Sequence, residues 1–559
     1  MSLIEFSTVD WLVLSGYLVL VLVIGAIASS KVKSTDHYFL GSRNFGKLIM
    51  IAQSFSTGTH AEMPVSLAGA VYTRGLSAIW YQWKNLFVTP FYWILAPLFR
   101  RFRRTTMSEV VEDRYGPWMG ALYTAFALGF FTINLASMLK GAAKVIVEST
   151  GGHMSVNGIV IGMMCIFVLY SFIGGLVAIA WNDVLQGFLI LTLSFMVIPI
   201  GWGLVGGLAG MKETLGPDRF SLVSPGGIGV WFITVLTLNG FVGIIAQPHL
   251  IASVGTGKDE YACRIGLVYG NMVKRVCTIG WAIVGLLTAA LIAKGVVGVT
   301  HLADPEEAFG FACRHLLFPG GVGLLVACLL AANMAGCSAF MVDSGALVTN
   351  GLYRKYFAPG RPDRHYLWVG RISGVLVTLA AVAYAVFLIQ GVLYSFLLTE
   401  TMSTFVGISI LAGVIWRRAN RWGAVVSIVV SMSVNFLCYA VTDRRLDHWD
   451  PTVFSIALAA GILSMVVTSL LTPPEPAQSL ARFYANLETP SGREGAVTTP
   501  VEVAQGGQQL LLVNLLNLKK GACGVGFFRA YRTDLKGLLV AGLLVAALVG
   551  TLWLFIRLG

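Results

Sequence analysis

Apolar runs of about 20 residues, separated by short polar clusters, recur along the whole chain. A run of this length crosses the ~30 Å hydrocarbon core of a bilayer as a helix, whereas membrane strands are about ten residues long and alternate in polarity. The pattern therefore predicts an all-α integral membrane protein with about 14 transmembrane helices. They are expected at residues 8–29, 46–72, 78–99, 117–147, 157–176, 179–208, 227–247, 276–297, 322–348, 371–391, 394–416, 422–441, 452–472 and 535–557.

The composition supports this class. Hydrophobic residues make up 56% of the 559 residues and charged residues only 12%, about half of the roughly 25% found in soluble domains. This excludes a soluble enzyme, a disordered scaffold and a disulfide-stapled secreted domain. The net charge of +12 does not indicate a nucleic-acid partner, because the basic residues lie in short clusters between the apolar spans. The expected surroundings are a lipid bilayer.

The distribution of basic residues predicts the orientation. Most of the 39 Lys and Arg residues fall in loops that follow odd-numbered predicted helices, and the loop between helices seven and eight includes Arg264, Lys274 and Arg275. Because Lys and Arg accumulate on the cytoplasmic side, we expect a multi-pass protein of the cytoplasmic (inner) membrane with both termini on the outer face. Residues 473–534 then form a cytoplasmic linker to a final helix within 535–559.

The second predicted helix contains a polar run, Gln53–Pro64, with several hydroxyls, a glycine and a proline. Irregular backbone at membrane depth is tolerated where it lines a cavity or packs in protein, and transporters use such breaks to bind substrates and ions. The alternative is a proline kink with Ser and Thr side chains bonded to the preceding turn. Glu62 argues against that alternative, since a kink needs no carboxylate.

Other polar residues inside the spans are candidates because each is costly in lipid unless paired or functional. Asp183 opens the predicted sixth helix, so it either caps that helix, which would contribute roughly 0.3–1 kcal/mol, or belongs to an ion site. Lys84 either extends to the membrane surface or pairs with an acidic group such as Glu62. His249 and Glu400 are weaker candidates, expected near the membrane faces.

Enzyme motifs are absent from the sequence. Gly255–Lys258 resembles the end of a phosphate loop, but Ala252 stands where its first glycine should be. The chain has no HExxH motif and no Cys/His cluster with metal-ligand spacing. We therefore expect no catalytic residues and no enzyme activity.

Several stretches together form a recognisable pattern: Tyr38–Arg43, Ala61–Glu62, Gly174–Ala178, Trp181–Gln186, Gly413–Asn420 with Gly423–Ala424, and Arg482–Tyr484. With them the chain resembles the sodium:solute symporter family over nearly its whole length, and Gln247–His249 is similar to its proline and pantothenate branch. The resemblance implies a leucine-transporter-type core of ten helices in two inverted five-helix repeats, with alternating access by rocking of one bundle. The repeats would be 46–208 and 209–416, preceded by 1–45 and followed by accessory helices within 417–472.

The resemblance also implies ligands for a sodium cofactor. Ser56 and Thr59 match positions whose backbone carbonyls hold a sodium ion, and Ala332 matches a third. The family adds two adjacent hydroxyl side chains, which here are Ala335 and Gly336. A hard cation needs several oxygens, so these two departures weaken or abolish that sodium site.

A second sodium site of some family members is matched in part by Asp183 and Ser338, although Ala335 and Ala339 lack its hydroxyls. Where sugar carriers have Gln, Glu and Gln, this chain has Met63, Gln82 and Phe396, so a galactose-like substrate is not expected. The candidate substrate-binding residues are Gly58, His60, Glu62, Met63, Gln82, Gln247 and Phe396.

The resulting expectation is a secondary transporter that imports a small polar or charged organic solute, coupled to sodium, as a monomer or weak oligomer. One alternative keeps the fold but uses protons or no ion, because the hydroxyls are missing and His60, Glu62 and Asp183 titrate. Another is a solute sensor that binds without transport. A channel is disfavoured, since no repeated filter or charged ring is visible.

Overall fold

The computed structural model describes residues 7–29, 35–40, 43–151, 155–224, 228–296, 298–389, 391–442, 449–491, 509–516 and 525–558. These residues are helical and contain no β-strand, only an isolated bridge between Phe45 and Gly257. Short 3-10 turns and one π-helical stretch, Thr349–Phe357, join the helices. The α-helices are α1 Thr8–Ser29, α2 Thr35–Leu40, α3 Lys47–Ser56, α4 Glu62–Arg74, α5 Trp80–Trp83, α6 Thr89–Arg101, α7 Met107–Tyr115, α8 Pro117–Ser149, α9 Val156–Phe195, α10 Ile198–Val205, α11 Gly207–Leu215, α12 Val230–Gly243, α13 Leu250–Val254, α14 Glu260–Ala293, α15 Ala308–Leu316, α16 Gly321–Val348, α17 Asp363–Phe387, α18 Val392–Ile415, α19 Arg421–Val441, α20 Pro451–Leu471, α21 Ala477–Glu488, α22 Val525–Ala530 and α23 Arg532–Leu558.

The helices differ strongly in burial. Within the described ranges, nine helices are long and apolar enough to cross a membrane. The apolar stretch of α16 is buried all round, whereas only 17% of that of α23 is buried. A helix that is apolar on every face belongs inside a bundle or against lipid, so α16 is central and α23 peripheral. The all-α membrane class is confirmed, while the number of 14 spans and the inverted repeats stay predictions.

The first helix of each predicted repeat is interrupted. The second predicted span consists of α3 and α4, separated by the turn 57–61. The predicted span 227–247 ends as α12 and the 3-10 turn Ile244–Ala246, before Gln247 and Pro248 lead into α13. Both interruptions bring polar backbone and side chains into the protein interior.

The predicted boundary between spans 157–176 and 179–208 is wrong, because α9 continues from Val156 to Phe195. Gly174 and Gly175 lie just before this predicted boundary, where glycines favour a helix end, but each costs only about 1 kcal/mol relative to alanine. A proline would remove a donor and block the turn, and the first one in this region is Pro199. Asp183 consequently lies inside a helix, and its interpretation as an N-terminal cap is also wrong.

Helix α14 begins 16 residues earlier than predicted, at Glu260 instead of 276. Asp259 caps it by accepting a 2.6 Å hydrogen bond from the backbone N–H of Ala262. Lys274 and Arg275 are therefore helical residues inside the bundle, and their assignment to a loop is wrong. Gly270 lets α14 approach α3 closely, since a Cβ there would lie 2.9 Å from the carbonyl oxygen of Ile51.

The expected linker 473–534 is partly helical. It contains α21, α22 and the beginning of α23, whereas 492–508 and 517–524 lie outside the described residues. Arg101 of α6 fixes the end of α21 by donating a 2.8 Å hydrogen bond to the carbonyl oxygen of Leu487. The segment that follows α20 is thus attached to the bundle.

Candidate functional site

A polar cavity lies where the interrupted helices meet. All seven predicted substrate residues line it: Gly58, His60, Glu62 and Met63 come from the break between α3 and α4 or the start of α4, Gln82 from α5, Gln247 from the turn before α13 and Phe396 from α18. These residues are separated by up to 338 positions in the sequence. Their role in binding stays a prediction.

The break itself is held by a small hydrogen-bond network. His60 Nδ1 lies 2.9 Å from Glu62 Oε1, and His60 Nε2 lies 2.5 Å from the carbonyl oxygen of Thr57. Both partners are hydrogen-bond acceptors unless Glu62 carries a proton. A neutral imidazole has a single N–H, so the two bonds require either a charged His60 or a protonated Glu62. In either form the His60–Glu62 pair has no net charge.

Lys84 has a different partner from the one expected. Its Nζ lies 2.7 Å from Glu400 Oε2, and both side chains are buried. The other oxygen of Glu400 accepts a 2.9 Å hydrogen bond from Gln247 Nε2. The suggested pairing of Lys84 with Glu62 is therefore wrong, and Glu400 lines the cavity instead of lying near a membrane face.

His249 is also more central than expected. It lines the same cavity and its ring lies 5.0 Å from that of Phe340 and 6.1 Å from that of Phe130, measured between centroids. His60 contacts the same Phe340 ring at 5.6 Å. The placement of His249 near a membrane face is thus wrong, and these rings form an aromatic wall of the cavity.

Two cations in the cavity escaped the sequence analysis. Lys274 Nζ donates a hydrogen bond to the carbonyl oxygen of Gly58, and Arg275 Nη1 donates one of 2.6 Å to that of Gln82. Within the described ranges, no carboxylate oxygen lies within 4.0 Å of either cation. The basic pattern predicts a loop for Lys274 and Arg275. Their position directly before an apolar run of α14 is the sequence signal that indicates helical residues in the bundle.

Two ion-pair units in the cavity are electrically neutral, while Lys274 and Arg275 have only uncharged partners. Lys84 with Glu400 is one neutral unit, and His60 with Glu62 is the other. Lys274 contacts a backbone carbonyl, and Arg275 contacts a carbonyl and the side-chain oxygen of Asn271 at 3.4 Å. The cavity therefore has an excess of positive charge.

The predicted sodium ligands fall into two groups. Ser56 is the last residue of α3 and Thr59 lies within the break, and Ala332 lies on α16 together with Ala335 and Gly336. Asp183 on α9 and Ser338 on α16 form the second group, on helices that pack against each other. Ser56 connects the groups, because its hydroxyl donates a 2.8 Å hydrogen bond to the carbonyl oxygen of Asp183.

The second group fits a cation better than the first. Both carboxylate oxygens of Asp183 and the hydroxyl of Ser338 are fully buried and have no hydrogen-bond partner among the described residues. A buried charged or polar group without a partner is costly, and carboxylate and hydroxyl oxygens are suitable ligands for a hard cation. The first group, by contrast, contains no carboxylate, and the carbonyl oxygen of Ser56 already accepts a hydrogen bond from the backbone N–H of Thr59.

Comparison with known proteins agrees with this architecture. A family model described as the sodium:solute symporter family matches residues 38–431. The osmoregulated proline transporter OpuE of Bacillus subtilis is 24% identical over 84% of this chain and 96% of its own length. The sodium/proline symporter of Escherichia coli is 26% identical over 74% of this chain and 84% of its own.

A solved structure gives the same fold. A Na+-coupled sialic acid symporter in its substrate-bound outward-open state aligns with a TM-score of 0.72, covering 84% of this chain and 99% of its own. The two sequences are 17% identical, so the likeness concerns the fold alone.

Proposed function

Because this chain belongs to the sodium:solute symporter family, we propose that it imports a small polar organic solute carrying a carboxylate across the cytoplasmic membrane, driven by sodium. It is a membrane transporter and not an enzyme. The observation that carries the proposal is the buried cavity at two helix interruptions, with its excess positive charge. Substrate sites of such transporters lie at the membrane midplane beside discontinuous helices.

The charge of the cavity supports an acidic solute. An isolated charge inside a membrane protein is expensive and usually faces a partner or a functional site. Lys274 and Arg275 have only uncharged hydrogen-bond partners among the described residues. A carboxylate in the cavity would compensate this charge, and its hydrogen bonds to charged donors would contribute about 1.5–3 kcal/mol each.

Asp183 and Ser338 are the residues that would hold the driving cation. Their unpartnered buried oxygens supply the hard ligands that sodium prefers, and the ion would supply the free energy of its gradient. The hydrogen bond from Ser56 to the backbone of Asp183 joins this region to the helix break. Movement of the break during alternating access would therefore alter the surroundings of Asp183.

The proline transporters among the relatives make proline a rational first probe. Thermal stability of the purified protein would be measured with L-proline, other amino acids, short carboxylic acids and sugars, in sodium chloride and in choline chloride. A ligand that binds only the folded state stabilises it by mass action. We expect stabilisation by a carboxylate-bearing solute, stronger in sodium because the two ligands are linked.

A matched pair of ligands tests the charge argument. For any acid that binds, the corresponding amide keeps the shape and loses the charge. The amide should bind about 10–100-fold more weakly, which is the loss of about 1.5–3 kcal/mol. Equal binding of acid and amide would contradict the acidic-solute proposal. Absence of saturable uptake of every solute into proteoliposomes, with binding retained, would instead favour a sensor.

The remaining features of the proposal concern placement. Both termini would face outward, and the 5+5 inverted repeat would form the moving core, with α19, α20 and α23 outside it. The protein would act as a monomer or weak oligomer. Cysteine labelling from either side of sealed vesicles at positions in α1 and α21 tests the orientation.

A further inference from the structure

Three successive carbonyl groups at the start of the helix break, those of Ser56, Thr57 and Gly58, already have partners within the protein. The Ser56 carbonyl accepts a 3.2 Å hydrogen bond from the backbone N–H of Thr59. The Thr57 carbonyl accepts from His60, and the Gly58 carbonyl accepts from the ammonium of Lys274. A hard cation needs several oxygens in one coordination sphere. Here three successive oxygens of the break are engaged, one of them by a positive charge.

The space between the break and α16 at Gly336 is filled by a side chain. A Cβ atom at Gly336 of α16 would lie 2.8 Å from His60 Nε2, so the imidazole occupies the place of any larger side chain at this position. The neighbouring Ala335 is buried and carries no oxygen in its side chain. At positions 335 and 336 the face of α16 that meets the break thus presents a methyl group and bare backbone covered by the His60 ring, and no hydroxyl ligand.

Lys274 is positioned by the packing of its own helix. Gly270 lies one turn earlier on α14, on the same face, and permits contact with the backbone of Ile51 and the side chain of Ser54 on α3. This contact brings α14 close enough for Lys274 to reach the Gly58 carbonyl. The Lys274 side chain is buried, and its ammonium group lies in the break, where it donates to the Gly58 carbonyl.

We propose that His60 and Lys274 close the helix break in place of a metal ion, so that this transporter binds no sodium there. The ammonium of Lys274 supplies the positive charge and binds the Gly58 carbonyl, while the imidazole fills the space against Gly336. Resting on the proposed function, the inference limits sodium to one ion per protein, at Asp183. The positive charge next to the solute is then a permanent part of the cavity.

The test is to count bound sodium by equilibrium binding of 22Na+ to the purified full-length protein in detergent. We expect one ion per protein, lost in Asp183→Asn and retained in Gly336→Ala, which crowds the break without touching Asp183. Gel filtration and the solute-dependent thermal shift show that each variant is folded. Asp183→Asn alters the proposed sodium site and Gly336→Ala alters the helix break, so a folding failure in one variant leaves the other informative.

Each outcome decides between the two proposals. Two ions in the unaltered protein would overturn the inference, as would a single ion that survives Asp183→Asn or disappears in Gly336→Ala. No bound ion, in protein that still binds solute, would show that sodium coupling is wrong while the break remains free of metal. One ion lost only in Asp183→Asn supports both proposals.

Discussion

The ion pair between Lys84 and Glu400 allows a quantitative test of the cavity. The side chains are 1% and 9% exposed, their charged atoms are 2.7 Å apart, and Gln247 donates to the second oxygen of Glu400. Lys84→Met would leave a buried carboxylate with one neutral hydrogen-bond donor. Breaking a buried pair in this way costs about 3–5 kcal/mol, because the remaining charge is uncompensated.

Removing both charges should cost less than removing either one. In Lys84→Met/Glu400→Met neither charge of the pair remains, and the main loss is the partner of Gln247, worth about 1–3 kcal/mol. We therefore expect the double variant to be more stable than both single variants. The corresponding coupling energy from the double-mutant cycle should have a magnitude of at least about 3 kcal/mol, because the two single costs together exceed the cost of the double variant by that amount or more.

The measurement is the free energy of unfolding in mixed micelles of dodecyl maltoside and SDS, followed by tryptophan fluorescence. The control is Arg417–Glu488, a pair with 49% and 38% exposed side chains and a 3.0 Å separation. Arg417→Met should change stability by only about 0–1 kcal/mol, as is typical for exposed pairs. Additive single effects at Lys84 and Glu400, without coupling, would refute this account of the cavity.

Two further predictions concern the helix break and the segment between α20 and α21. Gly336→Ala should destabilise the protein by about 1–2 kcal/mol, because the new Cβ meets a His60 ring held by hydrogen bonds on both nitrogens. The control Gly16→Ala, in open space on α1, should stabilise the protein by about 0.5–1 kcal/mol. Equal unfolding temperatures for the two variants would contradict this prediction. Burial raises the pKa of Glu475, but hydrogen bonds from the Arg421 side chain and backbone lower it further, to a net value below the usual 4.5. The stability that the ionised Glu475 contributes is therefore fully present above its usual pKa, which it has in the unfolded chain, and is lost as the pH falls through the lower pKa of the folded protein. Between about pH 6 and about pH 3 the unfolding temperature should fall less steeply for Glu475→Gln than for the unaltered protein. Parallel curves would show that the Arg421–Glu475 pair is not responsible for the pH dependence.

The sequence predicts much of the architecture because each membrane helix is recognisable from its own run of apolar residues. A run of about 20 apolar residues needs no distant partner to be identified. The interruption after Ser56 was predictable for a similar reason, since hydroxyls, Gly58 and Glu62 cannot face lipid. The continuity of α9 was not, because Gly174 and Gly175 permit a break without requiring one.

Charged residues inside the bundle were harder to assign. Lys84 and Glu400 are 316 residues apart, so their contact depends on how α5 and α18 are brought together and has no local signal. Lys274 and Arg275 were assigned to a loop by the rule that charges avoid the membrane. That rule holds for lipid-facing positions and fails where a charge lines a cavity.

The missing hydroxyls at Ala335 and Gly336 show both the strength and the limit of the sequence. Their absence is recognisable by comparison with the family pattern, and the effect on sodium binding stays a prediction. The groups that take their place are not recognisable in this way, because His60 reaches Gly336 from the break and Lys274 reaches Gly58 from α14. A lost ligand and a gained cation together describe a helix break that is held by the protein's own side chains, and in our proposal the coupling ion is then bound at Asp183 alone.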